Sequence, residues 1–214
     1  MTTTSPVESA VDNEVPLGAT RVAERHRVTK ESDVTIRLDL CGSDVDVATG
    51  LPFFDHMLQQ LGRHGGFGLY VRTSGDLGVD AHHSVEDTGI ALGECLATAL
   101  GDKAGVRRFA SIAVPLDEAL IEVALDLSGR PYLHYAVALP ADAAPLGTPG
   151  FEPQLAEEFW RAFVTSAQVT LHLESRRGRN SHHLIEASFK AAARALRDAV
   201  RVEGAAIPST KGVL

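Results

Sequence analysis

A short pattern of metal-ligand side chains occurs twice in this sequence, and corresponding positions of the two copies are 100 residues apart. The two copies are His82-His83-x-x-Glu86 and His182-His183-x-x-Glu186. Imidazole nitrogens and carboxylate oxygens are common ligands of divalent transition metals. With nine histidines in 214 residues, composition alone predicts only about 0.02 copies of the pattern. The duplication therefore indicates metal chemistry.

Helix geometry divides the ligands within each copy. Residues at i and i+4 share one face of a helix, whereas neighbouring residues point about 100° apart. His82 and Glu86 can therefore approach one ion, while His83 points elsewhere. Two adjacent histidines serve two ions more easily than one, so we expect two equivalent ions. Each ion could draw its ligands from both halves of the chain or from neighbouring subunits.

Comparison of the two halves adds one ligand to each set. His56 lies 26 residues before His82, and Glu158 lies 24 residues before His182 on the corresponding element. The candidate metal ligands are therefore His56, His82, His83 and Glu86 in the first half, and Glu158, His182, His183 and Glu186 in the second. Such a set, without thiolates, suits Mn, Fe, Co or Zn and leaves coordination positions for water or substrate. Open positions favour a catalytic site.

The elements that must carry these ligands follow the same order in both halves. Alternating and helical periodicity predicts strands at 21–30, 34–40, 44–48 and 67–73 and helices at 52–65 and from 82 onwards. In the second half it predicts strands at 111–115, 119–127, 132–139 and 169–174 and helices at 153–167 and 181–202, with a loop at 140–150. This order predicts a duplicated α+β unit, each sheet packed with two helices. The pseudo-repeats span about 21–105 and 106–204, between a disordered tail at 1–20 and a C-terminal tail at 205–214.

Composition excludes several other classes of protein. The formal charge of −8 and the pI near 5.5 disfavour nucleic acid and anionic membranes as partners. The two cysteines, Cys41 and Cys95, form no CxxC motif, and no apolar run reaches the roughly 18 residues that span a bilayer. The first 20 residues lack the features of a signal peptide. We therefore expect a cytoplasmic protein.

These motifs and their surroundings closely resemble those of the imidazole glycerol phosphate dehydratase family. The resemblance covers residues 21–214 and is carried by six segments. They are GLPFFDHML (50–58), DAHHSVEDTG (80–89), PLDEAL (115–120), DLSGRP (126–131), NSHHLIEASFK (180–190) and PSTKGVL (208–214).

The resemblance implies a tandem fold of ribosomal-protein-S5-domain-2-like units and two Mn²⁺ ions per active site. It also implies a large homo-oligomer, a 24-mer, with active sites between subunits. The implied reaction is the manganese-dependent dehydration of D-erythro-1-(imidazol-4-yl)glycerol 3-phosphate to 3-(imidazol-4-yl)-2-oxopropyl phosphate in histidine biosynthesis. One residue departs from the pattern, since these enzymes often have histidine in place of Glu158.

A phosphorylated substrate requires concentrated positive charge in so acidic a chain. The resemblance assigns phosphate and substrate binding to residues in four separate segments. They are Arg108, Arg130, Lys190, Ser209, Thr210 and Lys211, with His56, His82 and His182 also contacting the substrate. For the proton-abstracting base the resemblance indicates Glu31, which also contacts substrate, with Glu186 as the alternative.

The same ligands leave two other functions open. A two-metal hydrolase would use them to activate water and would release phosphate or an amine. A metal-storage or structural protein would use them to hold an assembly together. A lyase, in contrast, gives a ketone and retains the phosphate.

Overall fold

The computed structural model describes residues 21–214, so the expected disordered tail at 1–20 lies outside the described residues. The first half consists of β1 (Val22–Val28), β2 (Ser32–Asp39), β3 (Val45–Ala48), α1 (Pro52–Gly65), β4 (Gly68–Gly75) and α2 (His82–Leu100). The second half consists of β5 (Phe109–Leu116), β6 (Ala119–Asp126), β7 (Tyr132–Ala136), α3 (Leu155–Ala167), β8 (Thr170–Arg177) and α4 (Ser181–Ala199). The predicted order of elements is therefore confirmed in both halves.

Each half forms its own four-stranded sheet with the same topology. The strand orders are β1-β2-β4-β3 and β5-β6-β8-β7. The pairs β3/β4 and β7/β8 are parallel, and all others are antiparallel. Alternation along β2 buries Val34, Ile36 and Leu38 and turns Arg37 outwards, because successive side chains of a strand face opposite sides. The duplicated α+β architecture is confirmed.

The helices fill the space between the two sheets. α1 and α2 contact the first sheet, α3 and α4 contact the second, and the halves join through α1 against α4 and α2 against α3. Large aromatic side chains fill the centre, among them Phe54, Phe159, Trp160, Phe163 and Phe189. The packing of α1 on α4 brings together side chains from opposite halves of the chain.

Two glycines allow α2 to approach α3 closely. A Cβ atom at Gly93 would lie 2.5 Å from the carbonyl oxygen of Phe163, and one at Gly89 would lie 2.8 Å from that of Phe159. These distances are shorter than van der Waals contact, so only glycine fits at this spacing. The close contact sets the separation of the two halves.

One difference from the predicted boundaries is the end of α4. We expected this helix to reach residue 202, but it ends at Ala199. The main chain then pairs with the segment before β5: Arg107 N donates to Arg201 O and Val202 forms a β-bridge with Val106. Apolar periodicity continues through this segment, but strand pairing takes its backbone groups. None of the helices in residues 21–214 combines the length and apolarity needed to cross a membrane.

Candidate active site

Three predicted metal ligands meet where α1 packs on α4. The Nε2 atom of His182 lies 2.9 Å from Glu186 Oε2, as expected for residues at i and i+4. His56, from α1, places its Nε2 atom 3.2 Å from the same oxygen. One ligand atom from each of the three residues lies within 4.8 Å of the others. Two imidazoles and a carboxylate at this spacing could hold a divalent cation.

The charge of Glu186 is fixed by its neighbours. Burial raises the pKa of this carboxyl group, but the hydrogen bonds from Lys190 and His56 and the nearby Lys190 charge outweigh burial and lower it to about 2. The Lys190 Nζ atom lies 2.5 Å from Glu186 Oε1. Lys190, which we expected at the substrate phosphate, thus contacts the metal-ligand cluster. Glu186 is a carboxylate at neutral pH, as a metal ligand must be.

The second histidine of each motif points away from its neighbour and contacts a carboxylate through Nδ1. His83 Nδ1 lies 3.1 Å from Asp76, and His183 Nδ1 lies 2.8 Å from Glu118. The hydrogen bond to Asp76 raises the pKa of His83. A carboxylate at Nδ1 fixes the orientation of the ring and leaves Nε2 available as a ligand.

Glu118 also organises the start of α4. It accepts hydrogen bonds from the backbone N–H groups of Arg179 and Asn180, at 3.2 and 2.9 Å. With the hydrogen bond from His183 as the main cause, these lower the pKa of Glu118 to about 2. Asn180 caps α4 by accepting from the backbone N–H groups of His182 and His183. Sequence reasoning assigned no role to Asp76 or Glu118, although the PLDEAL segment contains Glu118.

The ligand atoms of the first motif lie farther from other ligands than those of the second. Within residues 21–214, His82 and Glu86 belong to no group of three ligand atoms as tight as the one on α1 and α4. Glu158 lies on α3, which packs against the α2 helix that bears this motif. Its carboxylate is 3.7 Å from the Nε atom of Arg161. The described part of the chain therefore assembles one close ligand cluster, and the other predicted ligands stand apart from it.

Glu31 lies in the turn between β1 and β2, beside the first motif. Its Oε2 atom is 3.8 Å from His83 Nε2, and its side chain is half exposed. The turn is fixed by Asp87 of α2, which accepts hydrogen bonds from Ser32 Oγ at 2.5 Å and Arg27 Nε at 2.8 Å. Asp76 N also donates to Glu31 O. Hydrogen bonds thus hold the turn that bears Glu31, the base expected from the resemblance, against the helix that carries His82 and His83.

A cationic pocket of about 570 Å³ lies at the C-terminal segment. Five of the predicted phosphate-binding residues line it: Arg108, Arg130, Ser209, Thr210 and Lys211. Arg108 donates to both oxygens of Asp126, at 2.7 and 3.1 Å, and to the carbonyl oxygen of Pro208. A C-terminal loop held by Arg108 therefore closes one side of a pocket rich in cations, which suits an anionic group.

Comparison with known proteins agrees with the resemblance drawn from the motifs. The profile of the family described as imidazoleglycerol-phosphate dehydratase matches residues 49–196. The imidazoleglycerol-phosphate dehydratase of Gluconacetobacter diazotrophicus is 57% identical over 91% of this chain and 98% of its own. That of Acidothermus cellulolyticus is 55% identical over 91% and 93%.

Solved structures give the same result. The crystal structure of imidazoleglycerol-phosphate dehydratase from Staphylococcus aureus matches with a TM-score of 0.75 and 36% identity, covering 85% of this chain and 99% of that one. The Pyrococcus furiosus structure, in complex with (S)-C348, matches with a TM-score of 0.74 and 34% identity, covering 89% and 100%. The resemblance is confirmed: this chain belongs to the imidazoleglycerol-phosphate dehydratase family of carbon–oxygen lyases.

Proposed function

We propose that this chain dehydrates D-erythro-1-(imidazol-4-yl)glycerol 3-phosphate to 3-(imidazol-4-yl)-2-oxopropyl phosphate and water, in histidine biosynthesis, with Mn²⁺ as its cofactor. The observation that carries the proposal is the cluster of His56, His182 and Glu186 in a chain of this family. The cationic pocket at the C-terminal segment supports a phosphorylated substrate.

The donor chemistry fits a divalent ion of the manganese type. The cluster offers two imidazole nitrogens and one carboxylate oxygen without a thiolate, a mixture that Mn²⁺ accepts. His83 and His183 have Nδ1 engaged by carboxylates, which leaves Nε2 for a second ligand set. When bound, such ions would supply Lewis acidity to the imidazole ring of the substrate.

The reaction breaks the bond between hydroxide and the carbon next to the imidazole and removes a proton from the following carbon. The resulting enol becomes the ketone, so the net loss is one water and the phosphate stays in place. The electron pair that expels hydroxide comes from the imidazole ring, because the neighbouring C–H is too weak an acid to ionise first. A base is therefore needed next to the substrate side chain, and phosphate contacts are needed to orient it.

Glu31 is the better of the two candidates for this base. The Glu186 carboxylate is already engaged by Lys190, His56 and His182. Glu31 is half exposed and lies 3.8 Å from His83, so it can reach a molecule bound there. Arg108, Arg130 and Lys211 would hold the phosphate.

The proposal includes a homo-oligomer in which active sites form between subunits, a 24-mer by the family resemblance. The gathering of only one close ligand cluster within residues 21–214 supports this arrangement. His82, Glu86 and Glu158 then complete their coordination with residues of a neighbouring copy. Because Glu31 lies beside the first motif, it acts on a substrate shared between copies.

The decisive experiment incubates Mn²⁺-loaded protein with the imidazole glycerol phosphate substrate and identifies the products. We expect the ketone with its phosphate retained, and no product after chelation of the metal. Release of inorganic phosphate would favour the two-metal hydrolase. Absence of any product with Mn²⁺ bound would overturn the proposed function.

A further inference from the structure

Lys103 is a lysine with two unusual features. It lies between α2 and β5, and only 7% of its surface is exposed. Its backbone has a φ of 61°, in the left-handed region that non-glycine residues seldom adopt. Burial of an ammonium group is unfavourable unless an anion or hydrogen-bond acceptor compensates. The surroundings of this side chain must therefore explain why the chain retains it.

The described part of the chain provides no close partner for the Lys103 ammonium. No carboxylate of residues 21–214 lies within 4.0 Å of it, and no side-chain hydrogen bond from it is formed there. Asp126 acts on it electrostatically, but both carboxylate oxygens of Asp126 already receive Arg108. Burial and the charges of Arg108 and Arg130 lower the pKa of Lys103. The site has a surplus of positive charge.

Gly129 relates Lys103 to the cationic pocket. A Cβ atom built on Gly129 would lie 3.6 Å from Lys103 Nζ and 2.7 Å from the carbonyl carbon of Leu214. Leu214 lines the pocket together with Arg130, the residue that follows Gly129. The ammonium group thus lies next to the wall that the Ser128-Gly129-Arg130 turn forms.

We infer that Lys103 is a further binding residue for the phosphomonoester in this pocket, supplying the positive charge of a largely buried side chain beside Gly129. A phosphate dianion provides the counter-charge that the surrounding side chains do not. Because most of the Lys103 side chain is removed from water, its charge acts more strongly on a nearby anion than the charge of a surface lysine. The inference rests on the proposed function, because it takes the phosphorylated substrate as the occupant of the pocket.

Inorganic phosphate is the probe for a test that does not depend on catalysis. Its affinity is measured by calorimetry on the intact protein, and thermal unfolding is followed with and without phosphate. In Lys103→Met we expect phosphate to bind on the order of tenfold more weakly. We also expect the melting temperature without phosphate to stay the same or rise, since an uncompensated buried charge is removed. Lys103→Arg should keep most of the affinity.

Arg37→Met serves as the control, because Arg37 is an exposed cation on the outer face of the first sheet that pairs with Glu24. It should leave phosphate affinity unchanged. An affinity within about twofold of the wild type in Lys103→Met would overturn the inference, as would a wild-type protein that does not bind phosphate. If Lys103→Met does not fold, Lys103→Gln takes its place, with the same outcomes.

The product assay separates this inference from the proposed function. Loss of phosphate affinity in Lys103→Met, in a protein whose wild type forms no ketone, would support the binding role of Lys103 and overturn the dehydratase function. Ketone formation by the wild type, with unchanged phosphate affinity in Lys103→Met, would support the dehydratase function and overturn the binding role of Lys103.

Discussion

His56 Nε2 and Glu186 Oε2 lie 3.2 Å apart although 130 residues separate them along the chain. The contact exists because α1 of one half packs on α4 of the other. His182 approaches the same oxygen from within α4. A metal held here would join the two halves of the fold. Removing one of these ligands should therefore lower both the affinity for metal and the stability of the fold.

We expect Glu186→Gln to weaken Mn²⁺ binding by at least about tenfold, because the substitution removes the one carboxylate oxygen between the two histidines. Titration with Mn²⁺, followed by electron paramagnetic resonance of the free ion, measures this change. Glu157→Gln is the matched control, since Glu157 pairs with Arg161 on the surface of α3. Equal Mn²⁺ affinity of the two variants would contradict the assignment of Glu186 as a ligand.

The stability of the metal-free chain should depend on pH through Glu186. Its folded-state pKa is lowered to about 2, against 4.5 for the free side chain. A lowered pKa contributes stability above pH 4.5, which is lost as the pH falls towards 2. The full contribution is on the order of 3 kcal/mol. Urea unfolding measures the free energy of unfolding of the wild type and of Glu186→Gln at pH 7 and pH 3.5. We expect the difference between the two proteins to be smaller at pH 3.5. An equal difference at both pH values would contradict the prediction.

Replacing Glu31 by glutamine should lower kcat by about 10²- to 10⁴-fold, because the amide cannot accept the proton. Mn²⁺ content should not change, since the close ligand cluster lies on α1 and α4. Glu24→Gln, on the exposed outer face of β1, should leave kcat as it is. Steady-state kinetics on the metal-loaded enzyme check this, and an unchanged kcat in Glu31→Gln would return the role of base to Glu186.

Asp87→Asn should lower the free energy of unfolding by about 2 kcal/mol. The buried carboxylate accepts hydrogen bonds from Arg27, Ser32 and Thr29, and an amide cannot satisfy all three donors. Asp33→Asn is the control, because Asp33 is exposed and, among residues 21–214, pairs only with His26. We expect less than about 0.5 kcal/mol there. Urea unfolding measures both, and equal losses would show that Asp87 does not anchor the turn.

Gly93→Ala should destabilise the fold by about 1–3 kcal/mol, although alanine favours helices by about 1 kcal/mol. The added methyl group would meet the Phe163 carbonyl oxygen at 2.5 Å and force α2 away from α3. Gly78→Ala, in a loop where a Cβ atom would contact nothing within 4 Å, should be nearly neutral. Thermal unfolding compares the two. A stabilised Gly93→Ala variant would mean that the helices can separate at little cost.

The sequence by itself determined the features that depend on short spacing. Alternation in β2 and β6 determined which side chains are buried, and the His-x-x-x-Glu spacing determined that His182 and Glu186 share a face of α4. The duplicated motifs also indicated the family. Covalent geometry fixes such relations within a strand or a single helical turn, so they can be read without the rest of the structure.

Only the tertiary structure decided which distant groups meet. It brought His56 to Glu186 and supplied Asp76 and Glu118 as partners of His83 and His183. These contacts depend on how whole helices and loops pack, and a shift of a few ångströms between elements would break them while leaving every sequence pattern unchanged. Packing of the two halves therefore decides the arrangement of ligands that the repeated motif supplies.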